Sequence, residues 1–486
     1  MFKLAESRSD NKIILISQQR SWTSHEFYSA VHELTEQFRS SGVRVVVSLL
    51  DNSPEWAVLD KAVENASIVH VPIPLFFSKA QLDYVLHKTK ADGLLIPSSH
   101  AYEWIESGRY QISILGNDFH LLKRDISPVK LPDGTSKITF TSGTTGSPKG
   151  VCLSQQAMQE VADSVESALA TLKINRHLSA LPYSVLLENV AGLMASIRHE
   201  HTCISVPLSQ VGLSGSSQFD PSVLDACVRT YEANSLILLP QMLLGWTQWL
   251  QLNRLRAPAC LSFVAVGGSS VGRRVIETAR SLGIPAYEGY GLSEGASVQT
   301  LNLPGADRPD SVGKPLPHAK LRTSAKHEIE ISGSLFLGYL GEEERMAQEW
   351  YPTGDLGSID AEGFVHITGR SKNVIITSFG RNISPEWVES KLHEQASIGH
   401  AVVFGNDLPT LWAVIWALPN VTAESIDSAI ATANLLLPDY AQIKHWVRAT
   451  HPYTAKHGMT TDNGRPLRTH IETTYFNQLT DLSTGV

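Results

Sequence analysis

The chain has 486 residues, enough for two or three domains at roughly 100 to 200 residues each. Its 40 Lys and Arg against 48 Asp and Glu leave a formal charge of −8, with no basic stripe of the kind that grips nucleic acid. With 42% hydrophobic and 18% charged residues the composition is that of a packed globular protein, which excludes a disordered chain or a peptide-sized module. The first elements alternate. KIILI, beginning at Lys12, is a short apolar run; Thr23 to Glu26 form a capping-box pattern opening a helix with Phe27, Ala30, Val31, Leu34 and Phe38 on one face. VRVVVSLL reads as a buried strand, SPEWAVLDKAVEN as a helix, SIVHVPI as a strand, KAQLDYVLHKT as a helix and GLLIP as a strand. This order predicts a parallel sheet covered by helices on both faces, with ligands at the carboxyl ends of its strands.

The middle of the chain continues in the same style through SLILLP, LSFVAVGG and the turn-rich EGYGLSEG. Past residue 350, YPTGDLGSIDAEGFVHITGRSKNVI has the closely spaced turns of small antiparallel strands. The polar tetrapeptide Gly369 to Lys372 separates two strand-like runs. The expected fold is α/β: a large N-terminal domain of layered αβ sheets over residues 1–370, and a small mobile α+β C-terminal domain over 371–486. Cys152, Cys203, Cys227 and Cys260 show no CxxC spacing and read as reduced structural thiols. The opening MFKLAESRSDNK turns polar before a signal-peptide core can form, and no apolar run reaches the roughly 18 residues of a membrane span, so a cytoplasmic protein is expected.

Chemistry is concentrated in ITFTSGTTGSPKGV, residues 138 to 151. A strand runs into glycines and hydroxylated residues and ends at Pro148-Lys149-Gly150. Glycines admit a polyphosphate close to the backbone, hydroxyls and amides donate to its oxygens, and Lys149 adds a mobile positive charge. It is not a Walker A loop, because proline precedes the lysine and glycine follows it.

The string TSGTTGSPKG resembles the signature of the adenylate-forming superfamily, which includes acyl-CoA synthetases, nonribosomal peptide synthetase adenylation domains and luciferases. Four further segments resemble that family in order and spacing: YGLSEG (290–295), YPTGDLGSIDAEGFVHITGR (351–370), KNVIITSFGRNISPEWVES (372–390) and NGRPLR (463–468). The resemblance implies that Thr141, Ser142, Gly143, Thr144, Thr145 and Lys149 embrace the β- and γ-phosphates of ATP, and that Glu294 helps to hold Mg²⁺. It implies that Asp355 accepts both ribose hydroxyls, that Arg370 fixes the ribose from the other side, and that Gly267, Gly268, Ser269, Tyr290 and Gly291 wall the adenine slot. Lys372 falls at the family's hinge, and Gly380 at the glycine brought to the pantetheine tunnel. The implied reaction forms an acyl-adenylate from a carboxylic acid and ATP, then a thioester with coenzyme A or with the phosphopantetheine of an acyl carrier protein.

The chain departs from the family pattern in two places. Arg465 stands where the family has lysine; arginine keeps the charge but not the shape, so Lys149, or Lys456 nearby in sequence, could share the work on the α-phosphate. Ser293 stands where threonine is more common and keeps the hydroxyl. Gly291 to Gly295 also satisfy GxSxG, which alone would suggest a serine hydrolase with Ser293 as nucleophile, a reading that leaves TSGTTGSPKG and PTGD without a job. Loss of adenylation through Arg465 would leave a nucleotide-binding protein instead. LPYSVLLENVAGL (181–193) is similar to a stretch of long-chain acyl-CoA synthetases, with Val185 in place of histidine and Glu188 retained, which favours a medium- or long-chain fatty acid and leaves an aryl acid open.

Overall fold

The computed structural model describes residues 11–98, 108–141, 149–215, 218–269, 271–342, 349–379, 381–417, 420–461 and 464–483. The helices predicted near the N-terminus form where expected, at Ser24–Ser41, Pro54–Asn65 and Lys79–Thr89. Thr23 and Glu26 complete the capping box, each side chain bonding the other's backbone N–H. The helix Pro54–Asn65 is apolar nearly all round, with Trp56, Ala57, Val58, Leu59, Ala62 and Val63 buried, as a helix enclosed on every side must be.

What encloses it is a pair of sheets. One is eight-stranded and mixed, in the order Gly338–Tyr339, Lys149–Ser154, Thr135–Thr141, Val69–Pro72, Val45–Ser48, Gly93–Pro97, Asn117–Lys123 and Gly108–Ile114. Its centre is parallel, as predicted, and its margins are antiparallel hairpins. The other, nine-stranded, carries Ala286–Leu292, Phe263–Val266, Ser235–Leu238 and Arg176–Leu178 as neighbours. The strand Ile13–Ile16 was expected to start the first sheet; it lies in the second, parallel to Thr202–Ile204. Ile14, Leu15 and Cys203 of one sheet and Val46, Leu95 and Leu121 of the other meet the helices in a single core.

A polar chain crosses this core. Lys137, 3% exposed, reaches Asp60 at 2.9 Å and also bonds Asn189. The second Asp60 oxygen faces His70 Nδ1 at 2.6 Å, and His70 Nε2 meets Ser48 Oγ at 2.7 Å. Asn189 belongs to a π-helical segment, Leu187–Met194, whose neighbouring Glu188 bonds His177 at 2.8 Å and the Leu181 amide at 3.2 Å.

A four-stranded antiparallel sheet, ending in Tyr351–Ile359 and Val365–Arg370, closes the large domain. The separate C-terminal domain packs Pro385–His393 and Ala423–Asn434 on a sheet of Ile398–Phe404, Leu411–Ala417 and Ile443–Arg448, with its own apolar core. The four cysteines are unpaired; burial pushes Cys152 and Cys203 up to about 12 and Cys227 to about 11, as expected of inert thiols. No helix among the described residues is long and apolar enough to cross a membrane.

Candidate active site

The last hairpin of the large domain sets Asp355 directly opposite Arg370. Arg370 Nε lies 2.6 Å from Asp355 Oδ1, and the Tyr290 hydroxyl donates to Oδ2 at 2.7 Å. Asp355 is 4% exposed; burial pushes its carboxyl up, while Arg370, Tyr290 and Arg465 pull it down. Each oxygen has spare lone pairs, so the carboxylate can still accept from two vicinal hydroxyls.

Tyr290 comes from Ala286–Leu292, which runs parallel to Phe263–Val266. Gly267, Gly268 and Ser269 follow that second strand, so the expected adenine walls sit side by side at strand carboxyl ends. Gly291 cannot be replaced: a Cβ there would stand 2.1 Å from the Ser297 carbonyl oxygen. Behind the glycine loop, Glu288 Oε1 accepts from the Val271 amide at 3.1 Å, and burial pushes its carboxyl up to about 7, with Asp310 and Asp307 adding to the rise. Glu288 carries no signal in the sequence, because one acid in a turn-rich string forms no pattern.

Lys149 and Thr141 face each other across the antiparallel strands that flank the glycine–hydroxyl loop, so the loop's ends are pinned together. Ser142, Gly143, Thr144 and Thr145 lie outside the described residues, as does Gly380. The close strand approach at this point requires Gly150, whose Cβ would meet Leu340 Cβ at 2.9 Å. Lys149 Nζ rests 4.5 Å from the centre of the Tyr339 ring and 3.9 Å from Glu342. The Tyr339 hydroxyl donates to Glu294 Oε1 at 2.8 Å and meets the Tyr351 hydroxyl at 3.0 Å. Tyr339 and Tyr351 were not anticipated, since their roles depend on strands distant in sequence.

Among the described residues no three His, Cys, Asp or Glu form a metal-binding group. A single carboxylate would nonetheless suit Mg²⁺ bound together with a polyphosphate, since that ion takes one or two protein carboxylates and fills its shell with phosphate and water oxygens. Glu294 fits, because Tyr339 engages only its Oε1.

Arg465 comes from the other domain. It closes a tight turn, its carbonyl accepting from the Thr461 amide at 2.7 Å while Gly464 takes φ +75°. The turn brings Arg465 within electrostatic reach of Arg370, Asp355, Glu294 and Tyr290. Enclosure in the cleft and the neighbouring Arg370 lower its basicity, yet its side chain keeps a solvent-exposed flank and a guanidinium remains charged there. Lys372 is exposed in the turn Ser371–Asn373, and Lys456 lies in the turn Ala455–His457. Ser293 lies in a single turn between two antiparallel strands, not on a strand-to-helix elbow, and no histidine hydrogen-bonds it among the described residues.

A cavity of about 40 Å³ is lined by Leu187, Ala191, Phe263, Ala265, Val298 and Leu301 together with the polar His177 and Ser235. It would take about three water-sized groups.

A family model described as AMP-binding enzyme matches residues 2–324, and one described as AMP-binding enzyme C-terminal domain matches 372–484. The chain belongs to the AMP-binding enzyme family. Within this adenylate-forming family it is an enzyme of the acid–thiol ligase class. Its relatives include the long-chain-fatty-acid–CoA ligase FadD15 of Mycobacterium tuberculosis, 28% identical over 74% of this chain and 71% of the relative. The 2-succinylbenzoate–CoA ligase of Bacillus subtilis is 27% identical over 81% of this chain and 82% of the relative. Among solved structures of AMP-binding enzymes, the same fold occurs in o-succinylbenzoate CoA synthetase (MenE) from Bacillus subtilis with its acyl-adenylate, at TM-score 0.77 and 22% identity over 96% of both chains. It recurs in the anthranilate CoA ligase AuaEII, at TM-score 0.79 and 16% identity over 96% of this chain and 94% of that one.

Proposed function

We propose that the protein activates a carboxylic acid with ATP, releasing pyrophosphate, and passes the acyl group from the adenylate to the thiol of coenzyme A. The observation that carries this reading is the Asp355 carboxylate, gripped by Arg370 and Tyr290 and faced by Arg465 from the second domain. Asp355 and Arg370 hold the ribose, and Gly267, Gly268, Ser269, Tyr290 and Gly291 enclose the adenine. Thr141, Ser142, Gly143, Thr144, Thr145 and Lys149 bind the β- and γ-phosphates. Glu294 would hold Mg²⁺, which when bound would supply charge neutralisation for the phosphates.

The acid's carboxylate oxygen attacks the α-phosphorus, and the bond to the pyrophosphate oxygen breaks. Arg465 and Lys149 offset the charge that builds on the α-phosphate, so catalysis is positioning and electrostatics without a protein nucleophile. The coenzyme's sulfur then attacks the acyl carbon, AMP leaves, and the thiol proton passes to solvent. The chain divides at residues 370 and 371, with Lys372 as the pivot that exchanges Arg465 for Gly380 at the site between the two steps.

For the acid we favour an apolar tail, a medium- or long-chain fatty acid first. Val185 and the named activity of the FadD15 relative support it. The succinylbenzoate ligases among the relatives support an aryl acid instead. Pyrophosphate release with Mg·ATP and fatty acids of graded length, plus succinylbenzoate and benzoate, with and without coenzyme A, tests the reading. Multiple turnovers with one fatty acid that require coenzyme A are expected. Preference for an aryl acid would overturn the choice of acid. A stoichiometric burst unaffected by coenzyme A would point to a carrier-protein thiol, and silence with every acid would overturn the adenylation reading.

A further inference from the structure

An ammonium and a carboxylate that must both serve Mg·ATP pose a problem when the nucleotide is absent, since opposite charges in one cleft attract each other. In this site both touch one side chain, with Glu342 also 3.9 Å from Lys149 Nζ. Tyr339 presents its ring face to Lys149 Nζ, 4.5 Å from the centroid, and its hydroxyl to Glu294 Oε1 at 2.8 Å. The aromatic face attracts a cation while the edge oxygen donates to an anion, so one residue satisfies opposite charges in different directions.

The placement is rigid. Tyr339 pairs with Val151, which sets it diagonally across from Lys149 on the adjacent antiparallel strand. The Leu337 and Leu340 amides donate to the Cys152 and Gly150 carbonyls, each at 2.8 Å, clamping Tyr339 from both sides. Phe336 packs edge-on against the Tyr339 ring at 4.9 Å and against Tyr351 at 5.2 Å, and the Tyr351 hydroxyl lies 3.0 Å from that of Tyr339. Burial, followed by Tyr351 and Glu294, pushes the Tyr339 phenol far up, so it stays a proton donor across the working pH range.

We propose that Tyr339 is a positioning residue of the nucleotide site, holding Lys149 on its ring and Glu294 on its hydroxyl so that the two charges are set in place for the triphosphate and its metal. This rests on the roles given above to Lys149 and Glu294. Because the hydroxyl takes only Oε1, the other carboxylate oxygen stays available to a cation.

The test compares wild type with Tyr339→Phe and Tyr339→Leu in steady-state pyrophosphate release, titrating Mg·ATP and the acid separately. Tyr339→Phe keeps the ring and loses a hydrogen bond to a charged group, so KM for Mg·ATP should rise about tenfold with KM for the acid unchanged. Tyr339→Leu loses both supports and should rise further, with Phe recovering part of the loss. Unchanged melting temperatures would show that both variants fold, and the split between the two KM values is one that general loosening would not produce. Should Tyr339→Leu melt early, Tyr339→Phe alone decides. An unchanged or lower KM for Mg·ATP in Tyr339→Phe would overturn the proposal. If wild type itself neither bound Mg·ATP nor released pyrophosphate, the roles of Lys149 and Glu294 would fail instead.

Discussion

His393 and His400 of the C-terminal domain face each other edge to face at 6.2 Å, and His393 Nε2 accepts from the Ala401 amide at 3.0 Å. Only a neutral ring can accept there. Burial holds His393 down to about 3, helped by His400 and Arg468, and His400 down to about 4. The unfolded chain takes up protons at these rings below pH about 6.5 and the folded chain refuses them, so stability present above that pH is lost as pH falls toward 4. The loss between pH 6.5 and 5 is at most about 2 kcal/mol per ring, at about 1.4 kcal/mol per pH unit, and less because each ring keeps an edge toward solvent. Urea midpoints at pH 7 and 5 should show the drop, and His400→Gln should reduce it. At this scale the sequence was legible where a motif named the residue: Asp355, Arg370 and Arg465 converge on one cleft. Glu288 and Tyr339 were not legible, because each acts through a partner that only the strand register brings near.

Among the elements, the strand Thr135–Thr141 does double duty: its end leads into the glycine–hydroxyl loop and its start buries Lys137 against Asp60. Lys137 and then His70 hold the Asp60 carboxyl well below its usual range against strong desolvation. Lys137→Met would strand that carboxylate in the core and should cost about 3–5 kcal/mol, read as a shift in denaturant midpoint. Adding Asp60→Asn should recover part of the loss, since a neutral amide tolerates the site better. Apolar runs and capping residues marked the early strands and helices because each is a local property. They could not place Ile13–Ile16 in the second sheet, since a four-residue apolar strand fits beside any parallel neighbour. Nor did LENVAGLM announce a π-helix, in which Glu188 bonds His177 and Asn189 bonds Lys137, partners distant in sequence.

Across the whole molecule, the large domain's final strand meets the first helix of the small one at Gly369. A Cβ there would lie 1.9 Å from Ser384 Oγ and 2.7 Å from Glu386 Oε2, and the backbone sits at φ +154°. Gly369→Ala should therefore disfavour the arrangement that brings Arg465 to the site. Adenylate formation should fall about tenfold, the scale of 1–3 kcal/mol of local strain, while thioester formation from a supplied acyl-adenylate and coenzyme A should change less. Equal losses in both half-reactions would show that the glycine serves folding alone. The shift of texture past residue 350 and the polar GRSK string made the two-part organisation readable, whereas the contact of Gly369 with Ser384 needed both domains in place.

The site's cation at Arg465 is borrowed from a separate domain of the chain. Linkage then runs both ways: if the arginine's presence tightens the grip on a nucleotide by some factor, that nucleotide holds the domain in place by the same factor. Affinity and posture become two readings of one free energy, so a ligand that bound equally well with and without Arg465 would leave the domain's equilibrium where it was, however tightly it bound.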